Sequence, residues 1–331
     1  MREITRRIER EAGVPNLSKI LAQRIKPTDL QSLLLEVYRE RAKHRNLNAV
    51  FLDYASNSFT RPSRSDPAHL LEWDRIAFSH LPERFHAIEL SPVSPLGSVS
   101  RLASVSQDWV LTTIRNIEVV ADPTNVLALE CALRRKELTR SEPADATPVH
   151  LACSQRVVRT QRFRSPDSIQ HFRLFSLCSA GRTAGNLRFE IKTATEHIRF
   201  YLKALKDFLG PAIPLRATII NLHPDSHDDT VFNAPIMKLK KEFEDVDIGH
   251  EKAKTEETKY YRHLRFHVYA SPPRGHETEL VDGGDTDWTQ KLLNNAKERL
   301  VISGIGSERL CEKFLPKRRS LREPPYKPVQ T

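Results

Sequence analysis

The strongest structural signal in this sequence is a helix that leads directly into a strand between residues 195 and 220. Five apolar side chains recur at helical spacing in the first part: Ile198, Tyr201, Leu202, Leu205 and Leu209. Gly210 and Pro211 then end the helix, because glycine favours the position after a helix and proline cannot continue one. Residues 215–220 alternate as a strand does. Helices and strands must therefore share one core.

A second helix is predicted over residues 28–45, after Pro27. Thr28 is its expected cap, and Gln31 stands at the capping-box position. Further strands are predicted over residues 110–120 and 172–177. Because strands and helices do not alternate regularly, the pattern indicates a mixed α+β fold rather than repeated strand–helix–strand units.

The chain divides into three predicted regions. Residues 1–60 form an N-terminal helical segment that we expect to pack on the core, and residues 61–315 form the core itself. The core carries a charged insertion at residues 223–259. Large apolar residues are sparse from 238 to 259, which predicts an exposed helical or mobile segment there. Residues 316–331 are basic and contain several prolines, which predicts a partly disordered tail.

Composition narrows the class of protein. Hydrophobic residues make up 39% of the chain and charged residues 28%, which excludes a mostly disordered protein. We expect no membrane association, since the sequence lacks both a signal peptide and the ~20-residue apolar run of a membrane helix. The four cysteines form no CxxC pair, which disfavours disulfides and indicates a cytoplasmic location. The net charge of +10 favours polyanionic partners such as nucleotides or RNA.

Residues 301–310 form a junction at which a predicted strand enters a helix. Gly304 and Gly306 lie at this junction, where the absence of side chains lets a ligand approach the backbone closely. Arg309 in the first helical turn can face an anion there. An ordinary turn is the structural alternative.

Two further segments carry residues suited to ligand binding. Residues 157–175 predict a β-hairpin that brings Arg159 and Phe172 onto one surface, with a cation for phosphate beside a ring that can stack on a base. Residues 122–130 lead from a turn into an apolar element ending at Glu130, whose carboxylate can hold a substrate ammonium. A hairpin with Phe172 in the core and a solvated Glu130 are the alternatives.

In this order, the segments resemble the catalytic core of class II aminoacyl-tRNA synthetases, most closely the histidyl branch. Residues 85–92 resemble motif 1, the hairpin resembles motif 2, and residues 304–310 resemble motif 3. Residues 122–130 are similar to the histidyl segment D..g..lALRPE.T, and residues 282–287 to the segment GGRYD. The resemblance covers residues 75–312 and implies an antiparallel sheet flanked by helices.

The resemblance also implies a reaction, the ATP-dependent activation of an amino acid or similar carboxylate as an adenylate. Arg159 and Arg309 would be the catalytic cations, at the α- and γ-phosphates of a bent ATP that binds with Mg²⁺. Fixed cations stabilise the charge that develops at the α-phosphorus. The remaining implied contacts are Phe172 (on adenine), Gln161, Gly304, Gly306 and Glu308 for the nucleotide, and Glu130, Arg265, Asp282, Gly283 and Gly284 for the substrate. A homodimer is implied, and the acceptor would be unknown, either RNA or a carrier protein.

Several departures from the family pattern favour other functions. The Arg-x-Glu of motif 2 reads Arg159-Thr160-Gln161, and the histidine-specific segment RGLDYY is at best residues 262–266, so histidine is not supported as the substrate. About twenty residues follow motif 3, so no anticodon-binding domain is expected. The first alternative is a non-catalytic paralogue, similar to the regulatory subunit of ATP phosphoribosyltransferase. The second is an RNA-binding protein that uses the helix at 28–45 and the basic tail.

Several histidines and aspartates could in principle bind a metal, but structural explanations are simpler. Pro224 prevents helical spacing of His223 and His227, which indicates a polar loop. His263 and His267 are expected on one face of a strand. Three aspartates, Asp282, Asp285 and Asp287, belong to a glycine–aspartate turn pattern. We therefore assign no residue to a metal.

Overall fold

The computed structural model describes residues 2–142, 147–161, 170–223, 230–252, 260–273 and 275–315. The helices in these ranges are α1 (Arg2–Glu11), α2 (Leu17–Gln23), α3 (Pro27–Lys43), α4 (Leu47–Ser56), α5 (Pro67–Ser79), α6 (Ser98–Leu102), α7 (Pro123–Ser141), α8 (Arg188–Leu209), α9 (Thr230–Glu242), α10 (Trp288–Leu293) and α11 (Ser307–Phe314). The strands are β1 (Phe85–Ala87), β2 (Val93–Pro95), β3 (Ile117–Val119), β4 (Val149–Val158), β5 (His171–Arg182), β6 (Leu215–Asn221), β7 (Asp247–Lys252), β8 (Leu264–Ala270), β9 (Thr278–Thr286) and β10 (Glu298–Gly306).

Eight of these strands form one sheet in the order β1-β4-β5-β10-β9-β8-β6-β7, and β2 pairs with β3 in a separate ribbon. The outer pairings, β1 with β4 and β6 with β7, are parallel. The inner pairings are antiparallel. The predicted α+β fold, with an antiparallel sheet flanked by helices, is therefore confirmed, and parallel strands are added at both edges.

Helices cover the two faces of the sheet unequally. Helices α5, α8, α9 and α11 pack on one face, into which Phe175, Ile219 and Phe266 project. On the other face, α7 and α10 pack over β4, β5 and β10, above Cys178 and Ile302. Beyond these two helices the strands remain only partly covered, and we call this area, around the ends of β5, β10, β9 and β8, the open face.

A chain of hydrogen bonds crosses the core under α8. The ring nitrogens of His197 lie 2.9 Å from Ser179 Oγ and 2.8 Å from Ser303 Oγ. Ser179 Oγ also lies 2.8 Å from His150 Nδ1, and Tyr201 OH lies 3.2 Å from Ser303 Oγ. All five residues are buried, so each polar atom in the chain replaces a bond to water with one to a neighbour.

A fully buried ion pair joins α7 to β10. The Arg135 guanidinium donates to both carboxylate oxygens of Glu298, from Nε and Nη2 at 3.1 Å each. Both side chains are 0% exposed, and Arg135 Nη1 also donates to the Thr147 carbonyl at 2.6 Å. This bidentate geometry compensates for the loss of hydration of the two charges.

The predicted helix at 195–209 begins earlier in the structure, at Arg188. Phe189 and Ile191 in the added turn are buried, which extends the apolar side of α8 against the sheet. The predicted helix at 28–45 is present as α3, but its cap is different. Proline occupies the first helical position and Lys26 the cap position, so Thr28 lies inside the first turn rather than capping it.

The predicted strand at 110–120 is shorter in the structure, where only Ile117–Val119 forms β3. Residues 107–109 form a 3-10 turn, and Asn116 has a positive φ of 55° immediately before the strand. A residue in this left-handed region forms a turn, so the residues before it fold back on β3, where Thr112 makes a single antiparallel bridge with Glu118.

The charged segment that is predicted to be exposed packs against the core over the part that the structure describes. Residues 230–242 form α9, and β7 pairs in parallel with β6 at the edge of the sheet. Most of the apolar residues in its described part are buried, namely Phe232, Ile236, Leu239, Phe243, Val246 and Ile248, whereas Val231 and Met237 are exposed. Sparse apolar residues suffice here because most of them lie on the side that meets the core. Residues 224–229 and 253–259 lie outside the described residues.

The N-terminal helices α1–α4 contain no buried residue among those described. Large apolar side chains on α4 are exposed, including Leu47 at 87% and Phe51 at 66%. Packing of residues 1–60 on the core therefore stays a prediction. Within the described ranges, no helix is long and apolar enough to cross a membrane. The predicted tail at 316–331 lies outside the described residues.

Candidate functional site

The open face brings together the two groups that the sequence predicts at motif 2. The Arg159 guanidinium lies over the Phe172 ring, with 5.2 Å between its central carbon and the ring centroid. Arg159 follows the end of β4, and its backbone N–H donates to the Gln170 carbonyl at 2.8 Å. The pairing of the hairpin therefore extends one residue past Val158 and fixes the backbone position of Arg159. The tip of the hairpin, residues 162–169, lies outside the described residues.

Asp122 holds Arg159 from the other side. Arg159 Nε donates to the Ala121 carbonyl at 2.8 Å, and its Nη2 lies 3.4 Å from Asp122 Oδ2. The other oxygen of Asp122 caps α7 by accepting from the backbone N and the hydroxyl of Thr124, at 2.9 and 2.8 Å. One carboxylate thus ties the start of α7 to the cation at the end of β4.

Asp122 lies beside Arg159 although the family resemblance assigns no role to it; it only begins the segment similar to D..g..lALRPE.T. The signal was present, because aspartate followed by proline is a typical helix start. Glu130, the predicted substrate residue, does not lie beside Asp122 in the structure. It lies on α7 and accepts from Arg134 Nε at 2.8 Å. Eight residues of helix separate it from Asp122, about 12 Å along the axis.

Two glycines of β10 form the floor of the open face. Leu300 and Ile302 face α7, so the alternation of the strand places Gly304 and Gly306 on the same side, beyond the end of the helix cover. Gly304 pairs with Ser176 on one side and with Asp282 on the other. Without side chains at these positions, the backbone of β10 is accessible between its two neighbours.

Arg309 stands at the far side of this glycine floor. A Cβ built on Gly306 would lie 3.5 Å from the Cβ of Arg309, so the Arg309 side chain leaves the backbone next to the end of β10. Its Nη1 reaches the Glu279 carbonyl on β9 at 3.3 Å, and the side chain is exposed. Arg159 and Arg309 therefore lie on two sides of the strip formed by Gly304 and Gly306.

Asp282 on β9 is held by two neighbours on this face. Arg265 Nε donates to Asp282 Oδ1 at 2.8 Å, and Tyr261 OH donates to Oδ2 at 2.9 Å. Burial raises the pKa of Tyr261, which keeps the phenol protonated as a donor. The predicted substrate residues Arg265 and Asp282 thus contact each other, and Tyr261 joins them.

His267 and Glu279 form a second pair on the open face, 3.2 Å apart between Nδ1 and Oε2. The contact with His267 lowers the pKa of Glu279 and favours its charged form. His263, by contrast, contacts Asp285, with 2.7 Å between Nδ1 and Oδ2. The expectation that His263 and His267 share one strand face is wrong, because His263 precedes β8 and does not follow its alternation.

The two predicted substrate glycines are explained by packing. A Cβ on Gly283 would lie 2.3 Å from Phe266 Cζ, and a Cβ on Gly284 would lie 2.5 Å from the Leu264 carbonyl and from the ring of Tyr261. Both distances are far below contact, so any side chain would force β8 and β9 apart. Their contact with a substrate stays a prediction.

Glu308 makes contacts on the opposite side of the sheet from Arg159. It accepts from Arg156 Nη2 at 2.8 Å and from Ser63 Oγ at 2.7 Å. Arg156 projects toward the α5 side, since it alternates with the α7-facing residues of β4. Glu308 therefore fastens α11 to the chain before α5. Its assignment to the nucleotide, like that of Gln161 at the edge of the described hairpin, stays a prediction.

Comparison with known proteins agrees with this geometry at the level of the fold. No protein-family model and no curated protein sequence matches the chain. Apo histidyl-tRNA synthetase of S. aureus matches with 12% identity and a TM-score of 0.53, over 76% of this chain and 68% of that one.

Two further solved structures share the fold. An ATP phosphoribosyltransferase regulatory subunit/histidyl-tRNA synthetase from Bacillus halodurans matches with 14% identity and a TM-score of 0.54, over 78% of this chain and 83% of that one. A histidine–tRNA ligase subunit from Alicyclobacillus acidocaldarius matches with 12% identity and a TM-score of 0.52, over 76% and 96%. The fold of this chain is therefore similar to that of the catalytic core of class II aminoacyl-tRNA synthetases, as the sequence resemblance predicts.

Proposed function

We propose that this core binds ATP on its open face and activates an amino acid or a similar carboxylate as an adenylate. The observation that supports this function is the placement of Arg159 and Arg309 on two sides of the strip that Gly304 and Gly306 leave without side chains. A folded triphosphate needs separated cations with an accessible floor between them. The acceptor is proposed to be RNA or a carrier protein.

Arg159 and Phe172 would form the end of the site that holds the base and the α-phosphate. The Arg159 side chain is 33% exposed, and its contact with Asp122 is long, at 3.4 Å. Such a partly exposed pair contributes about 1 kcal/mol or less, so turning the guanidinium toward a phosphate costs little. That movement would uncover the Phe172 ring for stacking on adenine.

The substrate would lie between this cation and the polar residues of β8 and β9. Asp122, rather than Glu130, is the carboxylate that the fold places beside Arg159, so we assign the substrate ammonium to Asp122. Magnesium would enter with ATP. The carboxylates on β9, Glu279 and Asp282, already contact His267 and Arg265, so we assign no protein ligand to this ion.

Amino-acid-dependent exchange of pyrophosphate into ATP tests the proposal. With a broad amino-acid panel, we expect exchange with one or a few members and a loss of about 100-fold or more in Arg159→Ala, because a fixed cation near the α-phosphate is removed. Arg75→Ala is the matched control, since Arg75 pairs with Glu72 on the exposed side of α5. Absence of exchange for the whole panel, with Arg159→Ala indistinguishable from the unchanged protein, would refute the proposal.

A second candidate function is that of a regulatory or partner-binding subunit without catalysis. The neutralisation of Arg159 by Asp122 favours it, together with the neutral Gln161 in place of a glutamate. Titration calorimetry separates the two functions. Binding of an amino acid without binding of ATP supports regulation, whereas binding of both supports activation.

A homodimer and a cytoplasmic location are further parts of the proposal. The family resemblance motivates the dimer, since the cores of the histidyl branch pair through motif 1. Sedimentation that shows two chains per particle would support the dimer, and a single monomeric species would contradict it.

A further inference from the structure

Three side chains that carry metal-ligand chemistry meet on the α8 side of the sheet, away from the open face. They are Glu190 in the first turn of α8, His263 before β8, and Asp285 on β9. One nitrogen or carboxylate oxygen from each lies within 4.8 Å of the others. Neither the proposed function nor the family motifs use these residues together.

Asp285 fixes the orientation of His263. Its Oδ1 accepts the backbone N–H groups of His263 and Leu264 at 2.8 Å each, and its Oδ2 lies 2.7 Å from His263 Nδ1. This short contact places a ring nitrogen and a carboxylate oxygen, both of which are ligands of divalent metals, beside each other.

Glu190 supplies a second, independent observation that points to a ligand at this cluster. Its side chain is 1% exposed, and Oε2 has no hydrogen-bond partner among the described residues. Oε1 lies 2.7 Å from Arg299 Nε. A buried carboxylate oxygen without a partner is unfavourable, and burial raises the pKa of Glu190.

We propose that Glu190, His263 and Asp285 bind one divalent transition-metal ion of the zinc class. A set of one imidazole and two carboxylates suits zinc, whereas magnesium prefers an all-oxygen shell. Bonds of about 2.1 Å require ligand atoms roughly 3–4 Å apart, so small side-chain movements close the cluster around the ion. The charges also agree, because two carboxylates opposite one arginine leave a negative charge for the cation to neutralise.

The ion has a route into the cluster and a structural consequence. The His263 side chain is 24% exposed, while Glu190 and Asp285 are 1% and 3% exposed, so a cation would enter past the histidine. Bound there, it would clamp the start of α8 to the end of β9. We therefore expect zinc to stabilise the folded protein, independently of any catalytic activity.

Metal content of the untagged protein tests the site. After treatment with EDTA, incubation with Zn²⁺ and desalting, we expect one zinc per chain and a higher melting temperature. Cobalt in place of zinc should give visible absorption bands that His263→Gln removes. Excess Mg²⁺ should not displace the ion.

The key variant is Glu190→Gln, which keeps the shape of the side chain and should bind zinc at least tenfold more weakly. Glu196→Gln is the matched control, because Glu196 lies on the same helix and pairs with Arg84 outside the cluster. His263→Gln provides a second test should Glu190→Gln fail to fold. The proposal is overturned when the unchanged protein retains no zinc after desalting, or when Glu190→Gln and His263→Gln retain as much as the control.

Discussion

Acidification should destabilise this protein through the histidines of its buried hydrogen-bond chain. Burial lowers the pKa of His197 to about 3 and that of His150 to about 4, from an ordinary value of 6.5. The unfolded chain therefore binds more protons than the folded one between about pH 3 and 6.5. Stability is complete above the unfolded pKa and falls as the pH drops through this window.

The size of the effect follows from these values. At pH 5 the unfolded histidine is almost fully protonated, and the folded one is almost fully neutral. Each residue then contributes about 2 kcal/mol of lost stability, at 1.36 kcal/mol for each unit of pKa difference. Together His150 and His197 should cost about 4 kcal/mol between pH 7.5 and pH 5, a large part of the stability of an ordinary domain.

Urea unfolding at both pH values measures this loss. We compare the unchanged protein with His197→Gln, which keeps polar groups near Ser179 and Ser303 but does not titrate. The variant is less stable at pH 7.5, yet its loss on acidification should be about 2 kcal/mol smaller. His276→Gln, in an exposed loop, is the control and should lose as much as the unchanged protein. Equal losses for His197→Gln and the unchanged protein would refute this explanation.

Two further substitutions test the packing around the site, each by urea unfolding at pH 7.5. Gly283→Ala should lower the free energy of unfolding by about 1–3 kcal/mol, because its methyl group would lie 2.3 Å from Phe266 Cζ. Gly249→Ala is the control and should change stability little, because a methyl group there would have nothing within 4 Å. Equal losses for the two variants would contradict the clash. Glu298→Gln should lower the free energy of unfolding by about 3–5 kcal/mol, because it removes the carboxylate that compensates the buried Arg135 charge. A loss below about 1 kcal/mol would contradict this role of the carboxylate.

The sequence predicts best those parts of the molecule that depend on neighbouring residues. The apolar spacing of α8 and the glycine and proline after it predict the helix and the strand that follows. The hairpin prediction also brings Arg159 and Phe172 together, because antiparallel pairing of the two strands places Val157 opposite Phe172. Both features are confirmed by the structure.

The sequence predicts a contact poorly where two residues could make it. Glu130 and Asp122 both lie in the motif-like segment, and only the capping of α7 shows which carboxylate lies beside Arg159. Glu308 sits next to Arg309 in sequence, yet adjacent residues of a helix diverge, and it pairs with Arg156 across the sheet. The burial of Val246 and Ile248 also depends on α8 and β6, which are distant along the chain.

The exposed N-terminal helices should unfold before the rest of the molecule. Helices as short as α2 and α4 are only marginally stable in water without tertiary contacts, and no described residue of either is buried. Backbone amides in this region should therefore exchange with deuterium long before those of β5 and β10. A protease would cleave there first and leave the eight-stranded sheet as a resistant fragment.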